Sequence, residues 1–206
     1  MSTISIIGSG GMATAIAGRV AKAGQTVEVI SRDNVKAQAL ADRLAPGAIT
    51  GKYGAAPAGD IVILAVPYAS AAAVVADFGK ALDGKVIIDI ANPVAPDLSG
   101  LLTPPGSSGA QETAKGIPAG AHVVKAFNTI FGHVLAMGGR LDAFIAADDA
   151  DAKARVSTFL ESLGLRPLDV GGLQMAQTLE ALGLMMIGLA QNGAGTWDFA
   201  LNVELG

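Results

Sequence analysis

The chain has 206 residues, enough to bury a sizeable core as one domain or as one domain with a small appendage. Hydrophobic residues make up 51% of it, aromatic residues 4% and charged residues 16%, with a formal net charge of −4. That balance gives no electrostatic basis for binding nucleic acid or an anionic membrane, and the absence of cysteine excludes disulfides, thiolate catalysis and cysteine-held metals.

Thr3–Ile7 predicts a strand, and Met12–Ala23 a helix closed by Gly24. Between them Gly8-Ser9-Gly10-Gly11-Met12-Ala13 is spaced as G-x-G-x-x-A. Gly8 permits a tight turn, Gly10 leaves the backbone bare for a pyrophosphate, and Ala13 lets the helix pack closely on its strand. The helix N-terminus then offers free amides and a partial positive charge to the anion.

Val27–Ile30 is a second strand, and Asn34–Leu44 a helix capped by Asp33. A carboxylate at the end of this strand would accept hydrogen bonds from an NAD ribose. Here Ser31 and Arg32 stand in its place, a hydroxyl and a planar cationic fork suited to a 2′-phosphate. The pattern favours NADP(H) over NAD.

Ile61–Val66 is the next strand and Ala69–Leu82 its helix, with Ala65-Val66-Pro67-Tyr68 at the junction expected to pass over the cofactor. Val86–Ile90 and His122–Phe127 follow as further strands. The first leads into Ala91, Asn92 and Pro93, and the second ends in Phe127, Asn128 and Thr129. These positions are expected at the carboxyl edge of the sheet, where ligands bind in open α/β folds. The loop 93–118 is rich in Gly, Pro and Ser, with one short helical piece around Ala110–Lys115.

Phe144–Ala147 reads as a strand, Asp148–Leu163 as a helix with Asp148 and Asp149 at its N-terminus, and Arg166–Val170 as a short strand. A long helix from about Leu173 to Gln191 is apolar on more than one side. The apolar strands alternating with helices define a doubly wound parallel α/β sheet, a Rossmann fold, with a small C-terminal α/β extension. We assign 1–142 to the dinucleotide-binding domain and 143–206 to the extension, which completes the sheet and supplies a homodimer interface. Charge below the roughly 25% of ordinary globular domains supports such a covered face. Leu182–Ala190 is too short to cross a bilayer and no leader follows Met1, so a cytoplasmic protein without membrane association is expected.

Proton chemistry is sparse. No Ser-His-Asp set, paired catalytic carboxylates or metal-ligand spacing is apparent. His122 lies at the wrong edge of the sheet. His133 can reach the cleft, although a lone histidine more often serves the structure. Carbonyl reduction usually needs a Tyr, Lys or His as proton donor, whereas hydride transfer between two ring cofactors needs mainly alignment and exclusion of water.

The chain resembles the NADPH-dependent reductases of the deazaflavin coenzyme F420 and, through them, the cytoplasmic domains of the prostate six-transmembrane ferric reductases. The resemblance rests on Ile6–Ala13, Ser31-Arg32, Ala65–Pro67, Asp89–Pro93, Val123–Thr129 and the run Gly164–Gly171. It implies hydride exchange between NADP(H) and F420. Gly8–Ala13 would hold pyrophosphate, Ser31 and Arg32 the 2′-phosphate, and Ala65–Pro67 the nucleotide. Asn92, Pro93, Asn128 and Thr129 would flank the rings. Two other small-molecule roles remain open: a flavin or other small acceptor in the same slot, and a non-catalytic NADP-binding sensor.

Overall fold

Short runs of Ile, Val and Leu, apolar on both faces, form the strands of a parallel sheet in the computed structural model, which describes residues 2–44 and 46–204. The first half comprises β1 (Thr3–Ile7), α1 (Gly11–Lys22), β2 (Thr26–Ile30), α2 (Asn34–Leu44) and β3 (Ala48–Gly51). β4 (Ile61–Leu64), α3 (Tyr68–Phe78), β5 (Val86–Asp89), α4 (Gly109–Ala114) and β6 (His122–Lys125) follow. The strands lie in the order β3-β2-β1-β4-β5-β6, all parallel, so the order reverses between β1 and β4. That reversal opens a crevice above the carboxyl ends of the two central strands.

The register fixes what stands at that edge. Leu64 lies beside Asp89, and Asp89 beside Lys125, so the last residues of β4, β5 and β6 are level. One face of the sheet packs Ile6, Val29, Ile63 and Val124 against Ile16, Val20, Leu40 and Leu135 of the covering helices. The other packs Ile7, Val62, Leu64 and Ile87 against Val74, Phe78, Ala110 and Leu173.

After β6 come α5 (Gly132–Met137), β7 (Asp142–Ile145), α6 (Ala150–Ser162), β8 (Arg166–Asp169) and α7 (Ala176–Asn192). β7 and β8 pair with each other, and an antiparallel bridge between Lys125 and Ala146 joins them to β6. The extension therefore adjoins the six-stranded sheet through that bridge. Arg19 of α1 staples the two parts. Its buried guanidinium donates to the carbonyls of Leu135 at 2.7 Å, Leu163 at 2.9 Å and Gly139 at 3.1 Å.

Several boundaries differ from the sequence expectation, each for a local reason. β3 is an additional edge strand, half-exposed and only four residues long, so it carries little apolar pattern. α5 is an additional helix of six residues, too short to show a helical period. β6 stops at Lys125 because Phe127 takes a φ of +62°, out of extended backbone. Asp149 caps α6 by accepting from the Ala152 amide at 2.7 Å, and Asp33 caps α2 through the Val35 and Lys36 amides. With the helical turn before it, α7 spans 20 residues of mean hydropathy 1.3, long and apolar enough on those grounds alone to cross a bilayer. The Leu182–Ala190 stretch is thus part of a longer apolar helix. Its inner face carries Leu179, Glu180, Gly183 and Met186, all buried against the domain.

Candidate functional site

β1 ends in a turn that only glycine can make. Gly8 has a φ of +133°, and a Cβ there would lie 2.2 Å from the Ala65 carbonyl oxygen of the neighbouring strand. The turn delivers the chain to α1, whose first turn has no acidic residue and no side-chain cap. A Cβ on Gly10 or Gly11 would meet open space. Bare amides facing an open crevice, without a competing carboxylate, suit a pyrophosphate.

Gly10, Gly11, Met12 and Ala13 form one wall of a cleft of about 420 Å³ at the carboxyl edge of the sheet. Ala65, Val66, Pro67 and Tyr68 form the second wall, and Ala91, Asn92 and Pro93 the third. Three segments read separately from the sequence thus meet in one depression at the switch point. A larger depression of about 660 Å³ opens at the opposite edge, between Ser2–Ile4 and α6. It lies at the amino ends of the strands, where this sheet architecture does not take ligands.

Ser31 and Arg32 lie beside the turn. Ser9 Oγ is 3.4 Å from Ser31 Oγ. Arg32 Nε donates to Tyr53 Oη at 2.9 Å, Arg32 Nη2 to Asp77 Oδ2 at 3.0 Å, and Tyr53 Oη to the same Asp77 oxygen at 2.7 Å. The Tyr53 hydrogen bond, followed by that of Asp77, raises the pKa of Arg32; Tyr53 and then Arg32 lower that of Asp77. The guanidinium is exposed and, among the described residues, is held along its Nε–Nη2 edge by these two bonds.

The third wall is tied to the C-terminal helix. Asn92 Nδ2 donates to the Asn128 carbonyl at 2.7 Å. Asn128 Nδ2 donates to Asn92 Oδ1 at 2.9 Å and to the Leu179 carbonyl of α7 at 2.7 Å. A Cβ at Gly183 would stand 2.5 Å from Asn92 Oδ1, so α7 packs directly on this side chain. Asn128 and Thr129 are buried behind the wall, and Asn128 Oδ1 and Thr129 Oγ1 have no partner among the described residues. Phe127 turns its ring into the core against Phe159, at a centroid distance of 6.5 Å. These three residues back the cleft, while Asn92 and Pro93 line it.

His133 faces the C-terminal tail, with Nε2 2.8 Å from the Trp197 carbonyl and 3.0 Å from Asp198 Oδ1. His122 pairs with Asp149 at 3.6 Å. Among the described residues, Tyr68 is the one titratable side chain lining the cleft. Burial, followed by the charges of Glu112 and Glu180, holds its phenol above the ordinary tyrosine value.

Beneath the cleft lies a cluster that the sequence reading missed. Lys125, Asp89 and Glu180 are all at most 1% exposed. Lys125 Nζ donates to Asp89 Oδ1 at 2.9 Å and Glu180 Oε1 at 2.8 Å, and it also bonds the Ala91 carbonyl. Glu180 accepts from the amides of Gly109 and Ala110 at the start of α4, and Asp89 accepts from Thr113 Oγ1 at 2.9 Å. One ammonium thus joins β5, β6, α4 and α7. A signal was present: a single lysine in an apolar strand and a single glutamate in an apolar helix each require a buried partner.

The family model for coenzyme F420-dependent NADP oxidoreductases matches residues 3–93. An F420-dependent NADP reductase of Methanothermobacter marburgensis is 30% identical over 201 residues, covering 88% of this chain and 89% of the relative. The metalloreductase STEAP3 of Rattus norvegicus is 31% identical over 190 residues, and the match spans 37% of that longer protein. In three dimensions, a protein of Arthrobacter sp. FB24 described as a candidate F420-dependent NADP reductase superposes with a TM-score of 0.85 at 28% identity. That match covers 98% of this chain and 99% of the other.

Proposed function

The chain belongs to the F420-dependent NADP reductase family and is an NADP-dependent oxidoreductase, and on that premise we propose that it transfers hydride between NADPH and coenzyme F420. The observation that carries this reading is the cleft itself, at the switch point of a doubly wound sheet and built from backbone, apolar side chains, one amide and the Tyr68 phenol. Its donor set fits a dinucleotide and offers no acid–base pair.

In this reading the amides of Gly11, Met12 and Ala13 receive the pyrophosphate, and Ser31 with Arg32 the 2′-phosphate. Bound NADPH supplies the hydride from nicotinamide C4, so the chain need supply only alignment and a dry surface. Asn92 is braced by Asn128 and α7, which fixes the wall against which the rings align. Pro67, Pro93, Ile90 and Leu102 exclude water from the same space. The buried, unpartnered oxygens of Asn128 and Thr129 lie behind that wall and accept a ligand N–H only if the backing loop shifts.

The test is a panel of acceptors. Purified protein with NADPH is mixed with F420, FMN, FAD or a ferric chelate, and loss of NADPH absorbance is followed. Turnover with F420 is expected. Turnover confined to flavin or ferric acceptors would replace F420 by one of them, and tight NADPH binding without turnover would point to a sensor.

We further propose that the protein is a homodimer. α7 presents Met185 and Leu189 to solvent, 53% and 41% exposed, and a second copy would cover them. A mass of two chains in solution is expected, and a stable monomer at micromolar concentration would refute it.

A further inference from the structure

The Lys125–Asp89–Glu180 cluster does more than join four elements. Every hydrogen bond described for the two carboxylates is donated to them: Lys125 Nζ, Ala91 N and Thr113 Oγ1 to Asp89, and Lys125 Nζ, Gly109 N and Ala110 N to Glu180. With one ammonium for two carboxylates, the cluster carries a formal charge of −1, and all three side chains are shut off from water. Water screens such an excess poorly, so its field persists into the adjoining cleft.

The cleft is close. Ala91, whose carbonyl and amide both bond the cluster, lines it, as does Tyr68. A Cβ on Gly109, the residue whose amide Glu180 accepts, would lie 3.2 Å from the Tyr68 ring, so the cluster and the cleft wall are one packed unit. The negative charge of Glu180 already acts on the Tyr68 phenol.

We propose that Glu180, through the net negative charge it gives this cluster, sets the relative affinity for the oxidised and reduced dinucleotide. The oxidised nicotinamide ring is a cation and the reduced ring is neutral, so a buried negative charge favours NADP+. This inference rests on the nicotinamide end of the dinucleotide lying against Ala91 and Asn92. It assigns a redox bias to a residue on α7 that does not line the cleft.

The test is equilibrium binding of NADP+ and of NADPH to the wild-type protein and to Glu180→Gln, with no acceptor present. The substitution keeps the side chain's shape and removes one charge, leaving the cluster neutral. Any general loosening weakens both ligands and cancels in the ratio of their dissociation constants. The ratio of Kd for NADP+ to Kd for NADPH is expected to rise by roughly fivefold to twentyfold, the effect of a unit charge about 10–17 Å from the ring at an effective dielectric of ~20. Asp89→Asn removes the same charge from the other carboxylate and serves if the first variant does not fold. An unchanged ratio in a folded variant would overturn the proposal while leaving the dinucleotide site intact. Failure of the wild-type protein to bind either form would overturn the site reading, and this inference with it.

Discussion

Lys125→Met is expected to lower the free energy of unfolding by about 3–5 kcal/mol, the usual cost of removing one partner from a buried ionic cluster. The cause is not the loss of a favourable bond alone. Asp89 and Glu180 would remain buried on adjoining elements with no cation between them, and the Ala91 carbonyl would lose its donor. The measurement is a guanidinium or urea melt, with the midpoint falling and the slope unchanged. Pairing the substitution with Glu180→Gln should recover part of the loss, because one of the two stranded charges is then gone. A single variant within about 1 kcal/mol of wild type would show that the cluster bears little of the fold.

Arg32→Ala should weaken NADPH binding by roughly tenfold to hundredfold and leave NADH binding nearly unchanged. The difference arises because only NADPH carries the phosphate that the guanidinium meets. Arg32 is already shared with Tyr53 and Asp77, so an incoming phosphate competes with a carboxylate for one cation. For that reason Asp77→Asn should tighten NADPH binding rather than weaken it. Both effects should shrink as salt is raised, since the arginine is exposed. Fluorescence titration of the two dinucleotides reads them directly. Equal losses for NADPH and NADH in Arg32→Ala would remove the 2′-phosphate assignment.

The dinucleotide half of the fold was legible because its signals are local. An apolar run, a glycine turn and an alanine-rich helix follow one another within Thr3–Lys22, and the structure keeps them in that order. Ser31 was legible for the same reason, since the end of β2 is set by counting from the turn. β3 was not, because four half-exposed residues at a sheet edge carry almost no pattern. Phe127 was named for the site from its place after β6. Its positive φ, which sends the ring into the core, is a tertiary choice that no neighbouring residue announces. Nor does anything local couple Lys125 to Glu180, which lie 55 residues apart in sequence. A charge in an apolar element says that a partner exists, and only the fold says where.

Direct transfer of hydride from nicotinamide C4 to the deazaflavin ring is the central claim. It is tested most directly by following a label. NADPH carrying deuterium at the transferring position of nicotinamide C4 is mixed with the protein and oxidised F420 in ordinary water, and the reduced deazaflavin is examined by mass spectrometry. Deuterium on the ring carbon of the product, at the full enrichment of the donor, is the expected result. Reduced product whose new carbon-bound hydrogen comes from water, or no reduced F420 at all while NADPH binds, would contradict it.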